Sequence, residues 1–100
     1  MKVLPKKDYR EIVPITFDFA ADAATGATAT PGTITVAALR GGTDATPSAV
    51  LNGAASATGA TVTQWVKDGV SGITYKITCV AAMSDGQTLV QTAQLTVVTA

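Results

Sequence analysis

Residues 72–98, GITYKITCVAAMSDGQTLVQTAQLTVV, decide the fold. Two alternating runs flank Ser84-Asp85-Gly86-Gln87. In the first, Ile73, Tyr75, Ile77, Cys79 and Ala81 share one face. In the second, Leu89, Gln91, Ala93, Leu95 and Val97 share one face, with Val90 and Val98 on the other. A period of two means strands, because successive strand side chains point to opposite faces. Asp-Gly between such runs marks a hairpin, since a tight turn needs residues that accept a positive φ. The last third of the chain therefore reads as one long β-hairpin.

Working outward, the same period recurs in shorter pieces. Tyr9–Phe19 reads as a first strand, with Ile15, Phe17 and Phe19 alternating with Thr16 and Asp18. Pro14 has no N–H to give to a ladder, so this strand lies at an edge or is broken there. Residues 20–32 read as a small-residue loop and Thr33–Leu39 as the second strand. Arg40–Asp44 forms a turn, Pro47–Leu51 a short strand, Asn52-Gly53 a turn and Thr58–Val66 a further strand, closed by Lys67-Asp68-Gly69. No helical pattern interrupts this series of six or seven strands, a spacing typical of an all-β sandwich or barrel. Tyr75, at the entry to the penultimate strand, reads as a tyrosine corner, in which the hydroxyl bonds back to upstream backbone. The expected fold is all-β: an immunoglobulin-like or fibronectin III-like β-sandwich of about seven strands. One such domain is expected over residues 9–100, preceded by an extended N-terminal arm over residues 1–8.

Composition narrows the function. Seven basic and seven acidic residues give a formal net charge of zero, which provides no electrostatic footprint for nucleic acid. No run approaches the ~18 apolar residues of a membrane-spanning helix, and the basic start is not followed by the apolar segment of a signal peptide. Neither nucleic acid nor a membrane is expected as a partner. Alanine and threonine make up about a third of the chain and aromatic residues only 5%. Such a composition buries little apolar area per residue and implies a thin core or stability borrowed from a partner. Cys79 has no second cysteine to pair with and reads as a small buried hydrophobe.

Residues suited to catalysis are scarce. The chain has no histidine, hence neither the commonest general base nor the commonest transition-metal ligand. The aspartates are scattered, and Asp44, Asp68 and Asp85 fall in turns, where such side chains bond their own backbone. Arg40-Gly41-Gly42-Thr43 lacks the spacing and the lysine of a phosphate-binding loop. No catalytic residue, cofactor or metal is expected, and the protein reads as a non-enzyme. Candidate partner-binding residues are Lys6, Lys7, Asp8, Tyr9 and Arg10, a cluster of charge and aromatic surface at the arm that could grip an acidic neighbour or simply lie solvated. Trp65 is the sixth candidate. It is either a core residue or an interface anchor, because tryptophan is enriched among binding hot spots. Strict alternation points it away from Val62 unless a bulge intervenes.

The order of these features resembles the fibre–tail adaptor family of small bacteriophage virion proteins. The resemblance is carried by Lys7-Asp8-Tyr9, then Ile15-Thr16-Phe17-Asp18-Phe19, then Gly69–Ile77, the Ser84–Gln87 turn and the apolar alternation of Leu89–Val98. Phe19 stands where that family often has tryptophan, and Tyr9 where it often has proline. The resemblance implies an adaptor between tail or connector and fibres, made in the host cytoplasm and built into the virion. Its partners would be other phage structural proteins of the tail, connector, fibre or capsid, in a symmetric multi-copy assembly. A capsid decoration protein and a glycan-binding β-sandwich module are the competing readings.

Overall fold

In a computed structural model of the protein, which describes residues 2–19, 26–44 and 46–99, the chain is a β-sandwich. Its strands are β1 (Lys2–Val3), β2 (Lys7–Asp8), β3 (Val13–Asp18), β4 (Ala29–Arg40), β5 (Ser56–Thr58), β6 (Thr61–Val66), β7 (Thr74–Met83) and β8 (Thr88–Val98). One sheet runs β8-β7-β4, with both β1 and β2 added to the outer edge of β8; the other runs β3-β6-β5. The whole measures 41 × 20 × 20 Å.

The β7–β8 hairpin forms as its alternation requires, with Tyr75 opposite Leu95 and Ile77 opposite Ala93. Its turn is closed by Gly86 N–H on the Met83 carbonyl (3.1 Å), and Gly86 takes φ +94°. The Asp85 carboxylate accepts the Gln87 N–H at 3.0 Å. Facing this hairpin, Ile15, Phe17 and Phe19 project inward with Val62 and Val66. Removing these apolar faces from water drives the two sheets together. Cys79 is fully buried among them, and burial pushes its thiol pKa up. Gln64 also faces inward; its amide is satisfied by the carbonyls of Gly53 (3.1 Å) and Trp65 (2.8 Å), as a buried polar group requires.

Several elements differ from the sequence reading. Strand β3 begins at Val13, not Tyr9, because residues 8–11 fold into a turn. Residues 47–50 form a 3-10 turn instead of a strand. Pro47 fixes its own φ there, Asp44 accepts the Thr46 N–H, and only Leu51 bridges to Val66. The strand read over Thr58–Val66 is two strands, β5 and β6, split by Gly59-Ala60 with Gly59 at φ +57°. Strand β4 starts at Ala29, passing a bulge between Pro31 and Ile34; residues 20–25 of the expected loop lie outside the described residues. Pro14 sits on β3, an outer strand of its sheet, as a residue without an N–H should.

Candidate functional site

Residues 2–8 run extended along β8 in two short parallel ladders, Lys2–Val3 beside Ala93–Gln94 and Lys7–Asp8 beside Val97–Val98. Pro5, which cannot donate, falls between them. The second ladder buries Lys7, which is 2% exposed. The Lys7 ammonium donates to the carbonyls of Asp8 (2.9 Å) and Asp68 (2.8 Å). Burial lowers its pKa from the ordinary lysine value, opposed by the nearby charges of Asp68, Glu11 and Asp8. Asp68 is held at φ +50°, an uncommon conformation for a residue with a side chain.

Beyond Lys7 the chain turns sharply, and reciprocal bonds fix the turn. The Asp8 N–H donates to Glu11 Oε1 at 2.7 Å, and the Glu11 N–H donates to the Asp8 carbonyl at 2.9 Å. The Asp8 carboxylate accepts the Arg10 N–H at 2.8 Å. It also takes both arms of the Arg10 guanidinium, Nε on Oδ1 at 2.9 Å and Nη2 on Oδ2 at 3.0 Å. This two-point geometry fixes direction as well as distance. The guanidinium carbon also lies 5.3 Å from the centre of the Tyr9 ring, within cation–π reach. Lys7 and Asp8 thus hold the turn from below, while Tyr9 and Arg10 are displayed outside it.

The structure places a groove of about 270 Å³ beside this turn, lined by Leu4, Pro5, Lys7, Val13, Pro14, Ile15 and Leu95. Exposed Lys6 and Glu11 also line it. Trp65 stands on the outer face of the other sheet. The β3–β6 register has no shift, so Trp65 points away from Val62 and lies directly opposite Pro14. It is 47% exposed. The sequence cluster therefore divides: Lys7, Asp8, Tyr9 and Arg10 form one bonded unit with Lys6 at its groove, while Trp65 lies on the outer face of the smaller sheet opposite Pro14, which also lines that groove.

Sequence reasoning did not find the groove or the pairing of Trp65 with Pro14, both of which depend on how distant strands pair. It did find Tyr75. Its hydroxyl accepts the Val70 N–H at 2.8 Å and donates to Asp44 Oδ2 at 2.7 Å. That bond, with the Thr46 N–H, holds the Asp44 carboxyl below the usual carboxylate range, while burial raises the Tyr75 hydroxyl. Gly69 completes this corner: a Cβ there would lie 2.8 Å from Val97 Cγ2.

The family model described as "Podophage GP4 fiber-tail adaptor protein gp77" matches residues 7–96. The chain belongs to this family. The match begins at Lys7, the residue whose ammonium anchors the turn, and ends inside β8, so it spans both sheets. No curated protein and no solved structure matches the chain. Membership makes it a phage adaptor of the fibre–tail type and a component of the virion. No helix among the described residues is long and apolar enough to cross a membrane.

Proposed function

We propose that this protein joins the podophage tail to its fibres as a structural, non-catalytic adaptor, and that the N-terminal turn is one of its two contact surfaces. The observation that carries this reading is the turn itself. Tyr9 and Arg10 are exposed, yet Asp8, Glu11 and Lys7 already hold the backbone beneath them in place. Preorganised aromatic and arginine side chains lose little freedom on docking, which is why such residues dominate interface energetics. Asp8 leaves Arg10 mostly exposed, so an acidic group of a partner can approach its outer side. The exposed Trp65, on the outer face of the smaller sheet, is the second contact. The strand order supports an immunoglobulin-like frame: β3-β6-β5 faces β4-β7-β8, with Tyr75 at the start of the penultimate strand.

The test is the copy number of the chain in purified particles, by quantitative mass spectrometry against the major capsid protein. A tail adaptor repeats with the symmetry of its attachment site, giving about six to a few dozen copies. Hundreds of copies would instead identify a decoration protein of the head, and absence from particles would remove the virion role.

A further inference from the structure

After the 3-10 turn, residues 50–53 run beside the end of β6. The Lys67 N–H donates to the Val50 carbonyl at 2.8 Å, Leu51 bridges to Val66, and the Asn52 N–H donates to the Trp65 carbonyl at 2.9 Å. The next bond falls on the Gly53 carbonyl, which accepts the Gln64 amide at 3.1 Å. Between these two anchors, the Asn52 side chain and the Gly53 N–H have no hydrogen-bond partner among the described residues. Gly53 is exposed at φ +76°, and a Cβ built on it would meet nothing within 4 Å. Asn52 is the single asparagine of the chain.

We propose that Asn52-Gly53 is a self-modification site, where the unbonded Gly53 nitrogen attacks the Asn52 side-chain amide and the chain converts to isoaspartate without an enzyme. A bond forms between the Gly53 nitrogen and Asn52 Cγ. The Cγ–Nδ2 bond breaks, the Gly53 N–H proton is lost, and ammonia leaves a five-membered cyclic imide. Water then opens the ring. Opening at the backbone carbonyl routes the main chain through the side chain, which is isoaspartate; opening at the other carbonyl gives aspartate. The net change is one amide and one water to one carboxylate and one ammonium, with no oxidant or reductant. Glycine suits the attack because no side chain shields its nitrogen. The other acidic Xaa-Gly pairs are placed differently. The Gly86 N–H is already bonded to the Met83 carbonyl at 3.1 Å, and the Asp85 carboxylate accepts the Gln87 N–H. At Asp68-Gly69, Lys7 holds the Asp68 carbonyl and Gly69 is packed against Val97. The product at Asn52 reaches the core through Gln64. Isoaspartate adds a main-chain atom between the Asn52 N–H and the Gly53 carbonyl, which are fixed to Trp65 and Gln64 respectively. Both anchors cannot keep their spacing, so buried Gln64 loses one of its two acceptors.

The test incubates the purified full chain, native and urea-unfolded, at mildly alkaline pH, and follows residue 52 by peptide mass spectrometry with isoaspartate-specific methylation. The native chain is expected to lose asparagine within about tenfold of the unfolded rate, whereas a site reacting only on global unfolding would be slowed about a thousandfold or more. Isoaspartate should exceed aspartate in the product. Gly53→Ala, which shields the attacking nitrogen, should slow the loss at least about tenfold in the unfolded chain, where its effect does not depend on folding. The converted chain should melt at least about 4 °C below the unconverted one, as expected for a buried amide that loses a partner. Asn52→Asp, which adds the charge without the extra main-chain atom, should melt closer to wild type. A native rate more than about tenfold below the unfolded rate overturns the proposal. So does a product that is aspartate alone, since that is direct hydrolysis without the ring. A converted chain that melts like the unconverted one overturns the link to Gln64.

Discussion

Two side chains at one end of the sandwich do what their types alone would not suggest. Asp44 is a turn residue and, as turn aspartates do, accepts a nearby backbone N–H. Its second oxygen reaches the Tyr75 hydroxyl, so a surface carboxylate helps hold the loop against the core. The tyrosine bond is the largest influence keeping that carboxyl below its ordinary range. A carboxyl depressed in the folded state favours folding above its unfolded pKa, and the benefit disappears as pH falls through the folded one. The melting temperature of the wild type should therefore fall more steeply below about pH 4 than that of D44N, whose amide cannot titrate. Parallel slopes for the two proteins between neutral and acid pH would refute this. Lys7 offers a second case. A lysine in a basic N-terminal segment reads as solvated, yet this one is enclosed and bonded to two carbonyls. Lys7→Met keeps the apolar stem but leaves the Asp68 carbonyl without the bond that helps hold its positive φ. A loss of about 1–3 kcal/mol, the cost of a buried polar group without its partner, is expected in urea unfolding.

Among the elements, the N-terminal strands matter more than their length suggests. Two-residue strands have few bonds, but β1 and β2 cover the β8 edge, and β2 carries Lys7 and Asp8 into place. Deleting residues 1–8 should lower the unfolding midpoint and promote association through the bared edge, read by denaturant melts and light scattering. An unchanged midpoint would mean that these strands only decorate the sheet. They were not legible in the sequence as strands, because two residues cannot show a period of two. The β7–β8 hairpin was legible because alternation persists over two long runs and the Asp-Gly between them has one good explanation. The β5–β6 split was hidden for the opposite reason. Thr58 to Val66 keeps a plausible alternation straight through Gly59-Ala60, so local pattern alone favours one strand. Pattern likewise defined two orientations for Trp65, and only the unshifted pairing with β3 chose the outward one.

At the scale of the molecule, the arrangement separates stability from contact. The core lies between the sheets, and the groups that fix the N-terminal turn point inward or along the backbone. Two exposed groups lie outside both: Tyr9 with Arg10 at the turn, and Trp65 on the outer face of the smaller sheet, opposite Pro14. An adaptor needs this division, because its contacts must form without rebuilding its fold. The division is testable through substitutions that touch one function and not the other. Tyr9→Ala with Arg10→Ala, and separately Trp65→Ala, remove surface without opening the core, so each should change folding stability by no more than about 0.5 kcal/mol. Each should nonetheless weaken attachment, since truncating an aromatic or arginine anchor at an interface centre typically costs about 2 kcal/mol or more, some thirtyfold in affinity. Particles assembled with either variant should carry fewer fibres per tail by electron microscopy, with the purified variants melting like wild type. If the turn and Trp65 serve different partners, the two variants will fail at different joints. One will leave the adaptor off the tail; the other will leave it on the tail without fibres. Normal fibre numbers with both variants would place the contacts on another face of the sandwich.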